Sequence, residues 1–159
     1  MSETIAALAT PPGRGAIAIV RVSGPQTLAI AQRVIPSIRL QPRYAHYVTI
    51  VDERGEPIDR GVAIFAPQPH SYTGEDMLEL QVHGSPVVVR ELLRALIACG
   101  ARPAQPGEFT RRAFMHGKMD LHAAAAVADL IDAETRSAAR AALANLSGGL
   151  ASEVRALRA

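Results

Sequence analysis

Four stretches of the sequence set a charged side chain in or beside a loop that contains glycine. They are Pro11 to Gly15 with Arg21 downstream, Ser71 to Asp76 leading into Glu79, Gly107-Glu108-Phe109, and Gly117-Lys118-Met119-Asp120. Loops of this kind let backbone approach a ligand closely while flanking elements hold the polar groups rigidly, so what they offer is ligand binding. Each also has a plainer reading. Arg14 and Arg21 read as surface cations, Glu79 as a solvent-facing strand residue and Lys118 as a turn lysine.

Several other chemistries drop out. A phosphate cradle of the form Gly-x-x-x-x-Gly-Lys-Ser/Thr is missing, because Met119 follows the one Gly-Lys pair at Gly117-Lys118. The chain by itself is therefore not expected to bind GTP or ATP through such a loop. The histidines His46, His70, His83, His116 and His122 form no His-x-x-x-His pair and have no neighbouring cysteine, which leaves no metal-binding spacing. Cys99 is the single cysteine and ends an apolar helical pattern, where a thiol is a small core residue rather than a nucleophile.

The elements that must position the four loops follow from periodicity. Thr4 to Thr10 and Ala16 to Val22 read as strands joined by Pro11-Pro12-Gly13-Arg14-Gly15. Pro25 suits a first helical position, with Leu28, Ile30, Ala31, Val34 and Ile35 lining one side of a short helix. His46 to Val51 and Gly61 to Ala66 form a hairpin across Asp52 to Asp59. Met77, Glu79, Gln81 and His83 alternate with Leu78, Leu80 and Val82, which predicts a strand with one largely polar face. A helix is expected from Pro86 to about Cys99, with Val88, Leu92, Leu93, Leu96 and Ile97 on one face and Gly100 ending it. Glu108 to Met115 is a further short helix.

From Leu121 the texture changes. Alanine dominates, and Val127, Leu130 and Ile131 begin a long helical pattern that continues through Leu143, Leu146, Leu150, Val154 and Leu157, interrupted at Ser147-Gly148-Gly149. The stripe is unfinished and uncapped at Ala159, so a longer parent with a packing partner for this helix is expected. Strands, helices and loops alternating before this point predict an α+β domain over 1–118, followed by the first part of a helical domain over 119–159.

Composition sets the outer bounds. In 159 residues, 48% are apolar and 20% charged, enough for a core in one domain or one domain with an appendage. Seventeen Lys and Arg against fifteen Asp and Glu leave a net charge of +2, no dense patch for a row of phosphates, and with 4% aromatic residues and no Trp a direct nucleic-acid-binding role is disfavoured. No apolar run approaches the roughly eighteen residues of a membrane helix, and the start lacks a secretory pattern. A cytoplasmic protein without a membrane partner is expected.

The residue strings add a resemblance. Thr4-Ile5-Ala6-Ala7-Leu8-Ala9-Thr10-Pro11-Pro12-Gly13-Arg14-Gly15, continuing into Ile19-Val20-Arg21-Val22-Ser23-Gly24, closely resembles the amino terminus of the MnmE (TrmE) family of tRNA-modifying GTPases. Pro42-Arg43-Tyr44-Ala45, Pro69-His70-Ser71-Tyr72-Thr73-Gly74-Glu75-Asp76 running to Glu79, Pro106-Gly107-Glu108-Phe109-Thr110 with Arg112-Ala113-Phe114, Gly117-Lys118-Met119-Asp120-Leu121 and Asp129-Leu130-Ile131 follow in the family's order. Departures at Val82, Ser85, His116 and Ala125 fall on none of the positions carried over below.

The resemblance implies an amino-terminal domain similar to the folate-binding domain of the glycine-cleavage T-protein. It implies a homodimer formed through that domain and a 5-formyl-tetrahydrofolate-type cofactor, the one-carbon donor, held by Arg21, Glu79 and Lys118. A carboxylate such as Glu79 can accept adjacent N–H donors of a pterin in a two-point contact, and Arg21 and Lys118 can engage carboxylate or carbonyl oxygens. The Pro11 to Gly15 and Ser71 to Gly74 loops would form walls. The whole family protein acts with MnmG at C5 of the wobble uridine of tRNA, and its GTP, magnesium and potassium belong to a G domain inserted further along. This stretch is expected to bind and position, with no catalytic residue and no GTPase activity of its own. The alternative is a purely structural dimerisation scaffold without a self-sufficient folate site.

Overall fold

The computed structural model describes residues 3–147. Eleven elements follow in chain order: β1 (Ile5–Leu8), β2 (Gly15–Ser23), α1 (Thr27–Val34), β3 (Ala45–Val51), β4 (Pro57–Ala66), β5 (Met77–Gly84), α2 (Pro86–Ala98), β6 (Arg102–Pro103), α3 (Glu108–Met115), α4 (Leu121–Ile131) and α5 (Arg136–Leu146). They form two compact units that divide between Pro106 and Gly107. Within the second of them α3 packs on α4.

The first unit is a six-stranded sheet in the order β3-β4-β5-β2-β1-β6, antiparallel except for the β1–β6 pair. Period-two alternation sends Val20, Val22, Leu78, Leu80, Ala63, Phe65, Val48 and Ile50 to one face, where α1 and α2 cover them in a common apolar core. The architecture agrees with the expected α+β class. Two local expectations need correction. Pro25 precedes α1 rather than starting it, since the helix begins at Thr27 behind Gln26. The buried face of α2 is Val89, Leu92, Ala95 and Leu96, whereas Ile97 is exposed. The segment after Gly100 contributes the short strand β6, whose Arg102 N–H donates to the Thr4 carbonyl at 2.9 Å.

The second unit is helical. Helix α3 closes with Gly117 at φ 68°, the Gly117 N–H donating to Phe114 O at 3.0 Å and the Lys118 N–H to Ala113 O at 2.8 Å. Asp120 then caps α4, its Oδ1 accepting from the Ala123 N–H at 2.8 Å. The expected long helix is instead two: α4 stops at Ile131, and Thr135 caps α5 by accepting from the Ala138 N–H at 3.1 Å. Its buried residues are the small Ala123, Ala126 and Ala142, while Leu121, Ile131 and Leu143 are exposed. The Gly148-Gly149 interruption and the stripe through Leu150, Val154 and Leu157 lie outside the described residues. Among the described residues no helix is long and apolar enough to cross a membrane.

Candidate functional site

The face of the sheet opposite the helices carries the polar half of β5. Strand register places Arg21 directly across from Glu79 on one side and Ile64 across from Glu79 on the other, with Ile19, Gln81 and Val62 one pair further along. A carboxylate and a guanidinium thus sit among half-exposed aliphatic side chains in the middle of a sheet.

The pair has a specific geometry. Arg21 Nε and Nη2 both donate to Glu79 Oε1, at 2.9 and 2.7 Å, and each side chain keeps 24% of its surface. Both donors therefore converge on one oxygen rather than forming a fork-to-fork pair, and Oε2 accepts no hydrogen bond from a described residue. The Arg21 guanidinium lies 5.2 Å from the centroid of the Tyr72 ring. Glu79 in this geometry offers one oxygen, not the two that a two-point contact with adjacent N–H groups uses. A second contact requires Arg21 to release a bond.

Tyr72 is held there by a loop with unusual internal support. Ser23, on the same face as Arg21, has its Oγ 2.7 Å from Thr73 Oγ1 and donates to Glu75 Oε2 at 2.8 Å, and all three residues are buried. The Asp76 carbonyl accepts from the Gly24 N–H at 3.0 Å and from Thr27 Oγ1 at 3.1 Å. Buried polar groups that satisfy one another in this way fix a loop conformation more firmly than exposed contacts do. The Ser71 to Gly74 loop is thus a wall beside Arg21.

The Pro11 to Gly15 loop is not at this pair. It lines a different groove of the first unit, on the α2 side, whose lining includes neither Arg21 nor Glu79. Lys118 belongs to the second unit, where the closure of α3 described above fixes its backbone and leaves the residue exposed. Glu108 is buried, 3.0 Å from Arg112 and 3.7 Å from Arg111, which gives it a charge-compensating role in α3. Cys99 is buried, and burial pushes its thiol above the ordinary cysteine range, as suits a core residue. At the end of β5, His83 donates its backbone N–H to Asp59 Oδ2 at 2.8 Å and sets its ring 2.9 Å from Oδ1. Partial burial of Asp59 opposes ionisation, but these contacts and the Arg60 N–H outweigh it and hold the carboxyl below its ordinary value. Among the described residues no cluster of His, Cys, Asp or Glu is placed to hold a metal ion.

Sequence reasoning singled out Arg21 and Glu79 but not the neighbouring Tyr72, Ile64 and Ile19. Tyr72 is an aromatic residue in a Gly-containing loop, a signal that existed; the aliphatic floor depends on which strands become neighbours, which no local pattern states.

Comparison with known sequences agrees with the motif reading. Residues 4–118 match the family described as GTP-binding protein TrmE N-terminus. The tRNA modification GTPase MnmE of Saccharophagus degradans is 51% identical over 156 residues, that of Vibrio cholerae 51% over 157 and that of Bordetella petrii 53% over 157. These alignments cover 98%, 98% and 96% of this chain but 34% of each relative, so the chain spans about a third of the length of the relatives it matches.

Proposed function

The chain belongs to the family of TrmE amino-terminal domains, and on that premise we propose that it is the folate-binding and dimerising portion of a tRNA-modifying GTPase. The observation that carries the reading is the open Oε2 of Glu79, presented on an aliphatic sheet face beside Arg21 and Tyr72. A planar heterocycle with an N–H donor fits such a face. Glu79 accepts the donor, Ile19 and Ile64 lie beneath the ring, and Arg21, released in part from Glu79, engages a carbonyl or carboxylate oxygen. Lys118 is the third cofactor-binding residue in this reading, and supplies a cation from the turn after α3. When bound, a 5-formyl-tetrahydrofolate-type cofactor supplies a one-carbon unit; the chain's own residues bind and orient it.

The larger setting belongs to the same proposal. The parent protein hydrolyses GTP with magnesium and potassium in a separate G domain, works in the cytoplasm with MnmG, and modifies wobble uridine C5 in tRNA. This portion, with no phosphate-cradle motif in its sequence, is expected to show no GTPase activity alone.

A second reading has one observation in its favour. Leu121, Ile131 and Leu143 leave large apolar surface on the second unit, as a scaffold awaiting partner helices would. Calorimetric titration of the chain with 5-formyl-tetrahydrofolate, with Glu79→Ala as control and sedimentation on the same samples, separates the two. Saturable binding by a dimer, abolished in Glu79→Ala, is the expected result. A folded dimer that binds no folate would leave only the scaffold.

A further inference from the structure

The groove lined by the Pro11 to Gly15 loop has a volume of about 860 Å³ and lies between that loop, the adjoining strands and α2. Its size falls within the range of small-molecule sites, roughly 300–1,000 Å³. Its floor is aliphatic, from Leu8, Ala18, Val89, Leu93 and Ile97. Helix α2 is therefore apolar on two sides. One side is spent on the core, which Leu93 also touches, while Leu93 and Ile97, four residues apart, line the groove, and Ile97 keeps 42% of its surface exposed.

The loop is preformed. Pro11 and Pro12 fix φ, and Thr10 Oγ1 accepts from the Ile19 N–H at 3.3 Å. At its far end Gly15 packs backbone to backbone on Gly84, where an added Cβ would stand 2.4 Å from the Gly15 carbonyl oxygen.

The charged groups lining the groove are of one sign. Arg14, Arg90 and Arg94 are its charged lining residues. Arg90 and Arg94 share the single carboxylate of Glu91, at 3.6 and 3.0 Å, and Arg14 makes no hydrogen bond or ion pair with a described residue. With Glu91 beside Arg90 and Arg94, and Asp52 close enough to Arg94 to feel its charge, Arg14 is the guanidinium left to meet a ligand beside the aliphatic floor. We propose that this groove binds a small amphiphile with an unbranched apolar body and one anionic head group, a carboxylate or phosphate. The body lies along Leu93 and Ile97 and the head group pairs with Arg14. The site is separate from Arg21 and Glu79 and does not rest on the folate reading.

The test is a calorimetric titration of the chain with decanoate, decyl phosphate and decanol, each below its aggregation threshold. Both anions are expected to bind saturably and about tenfold more tightly than decanol, the value of one charge-assisted pair. The tighter of the two anions identifies the head group. Arg14→Ala brings the anions to the affinity of decanol, and Ile97→Asp weakens all three; both positions are exposed, and Ile97→Ser serves if Ile97→Asp fails to fold. Equal affinity for decanol and the anions, no saturable binding, or binding unmoved by the Ile97 variants overturns the proposal. So does a chain that ignores the amphiphiles and self-associates through this face, shown by an Ile97→Asp variant that sediments as a monomer where the parent does not.

Discussion

The two units of the chain bury different things. The first fills its interior with Ile5, Val20, Leu78, Leu80, Leu92 and Leu96, all at 0% exposure, and seats its polar pair on the outside of the sheet. The second buries Ala123, Ala126 and Ala142 together with the Glu108–Arg112 pair, and leaves Met115, Leu121 and Ile131 at 73%, 65% and 78% exposure. A core of large aliphatics is self-sufficient. A core of methyl groups and one charge pair stabilises its helices little, so helix caps at Asp120 and Thr135 carry a larger share. The first unit therefore has the stiffer interior, while the second leaves large apolar side chains on its surface.

The contrast breaks most sharply at the two interiors. Glu108→Ala removes the carboxylate of a buried ion pair and is expected to cost about 3–5 kcal/mol in the second unit, seen as lost amide protection in α3 and α4 with the sheet still protected. Leu80→Ala in the first unit is expected to cost about 2–5 kcal/mol, read as a lowered denaturant midpoint of the sheet. Equal loss of protection in both units from either change would mean that they unfold as one. A smaller effect belongs to Asp59. Its folded pKa is depressed, so its stabilising contribution is present above the ordinary carboxylate value of about 4 and is lost as pH falls through the folded value. The gap in melting temperature between the parent chain and Asp59→Asn should shrink over that acidic window and stay constant above it. Smallest of all, Ile131→Ser should change stability by no more than about 0.5 kcal/mol, since the side chain is exposed at the end of α4. A large loss there would show that the second unit already buries this residue in solution.

The strands and helices of the first unit were legible because local periodicity states them. The alternation from Met77 to His83 became β5, and Pro86 to Cys99 became α2 with its cap. The Arg21–Glu79 pairing was not legible from spacing, because the two lie fifty-eight positions apart and meet only when β5 takes the place beside β2. Resemblance to a family named both residues without giving the one-oxygen geometry. The break between α4 and α5 was missed for a different reason. It is made by Thr135 capping chemistry across Asp132-Ala133-Glu134, without the Gly or Pro that usually marks a stop. Pro11 to Gly15 is legible as a demanding turn, but that it lines a groove beside α2 depends on the assembled sheet and not on any local pattern.

The most direct measurement is an amide chemical-shift titration of the isotope-labelled chain with 5-formyl-tetrahydrofolate. The account predicts saturable shifts at Arg21, Tyr72, Glu79 and Gln81, with Gly13 to Gly15 and Arg90 to Ile97 unmoved. Shifts confined to the α2 groove, or no shifts from a folded chain, would contradict the assignment of the sheet face as the cofactor site.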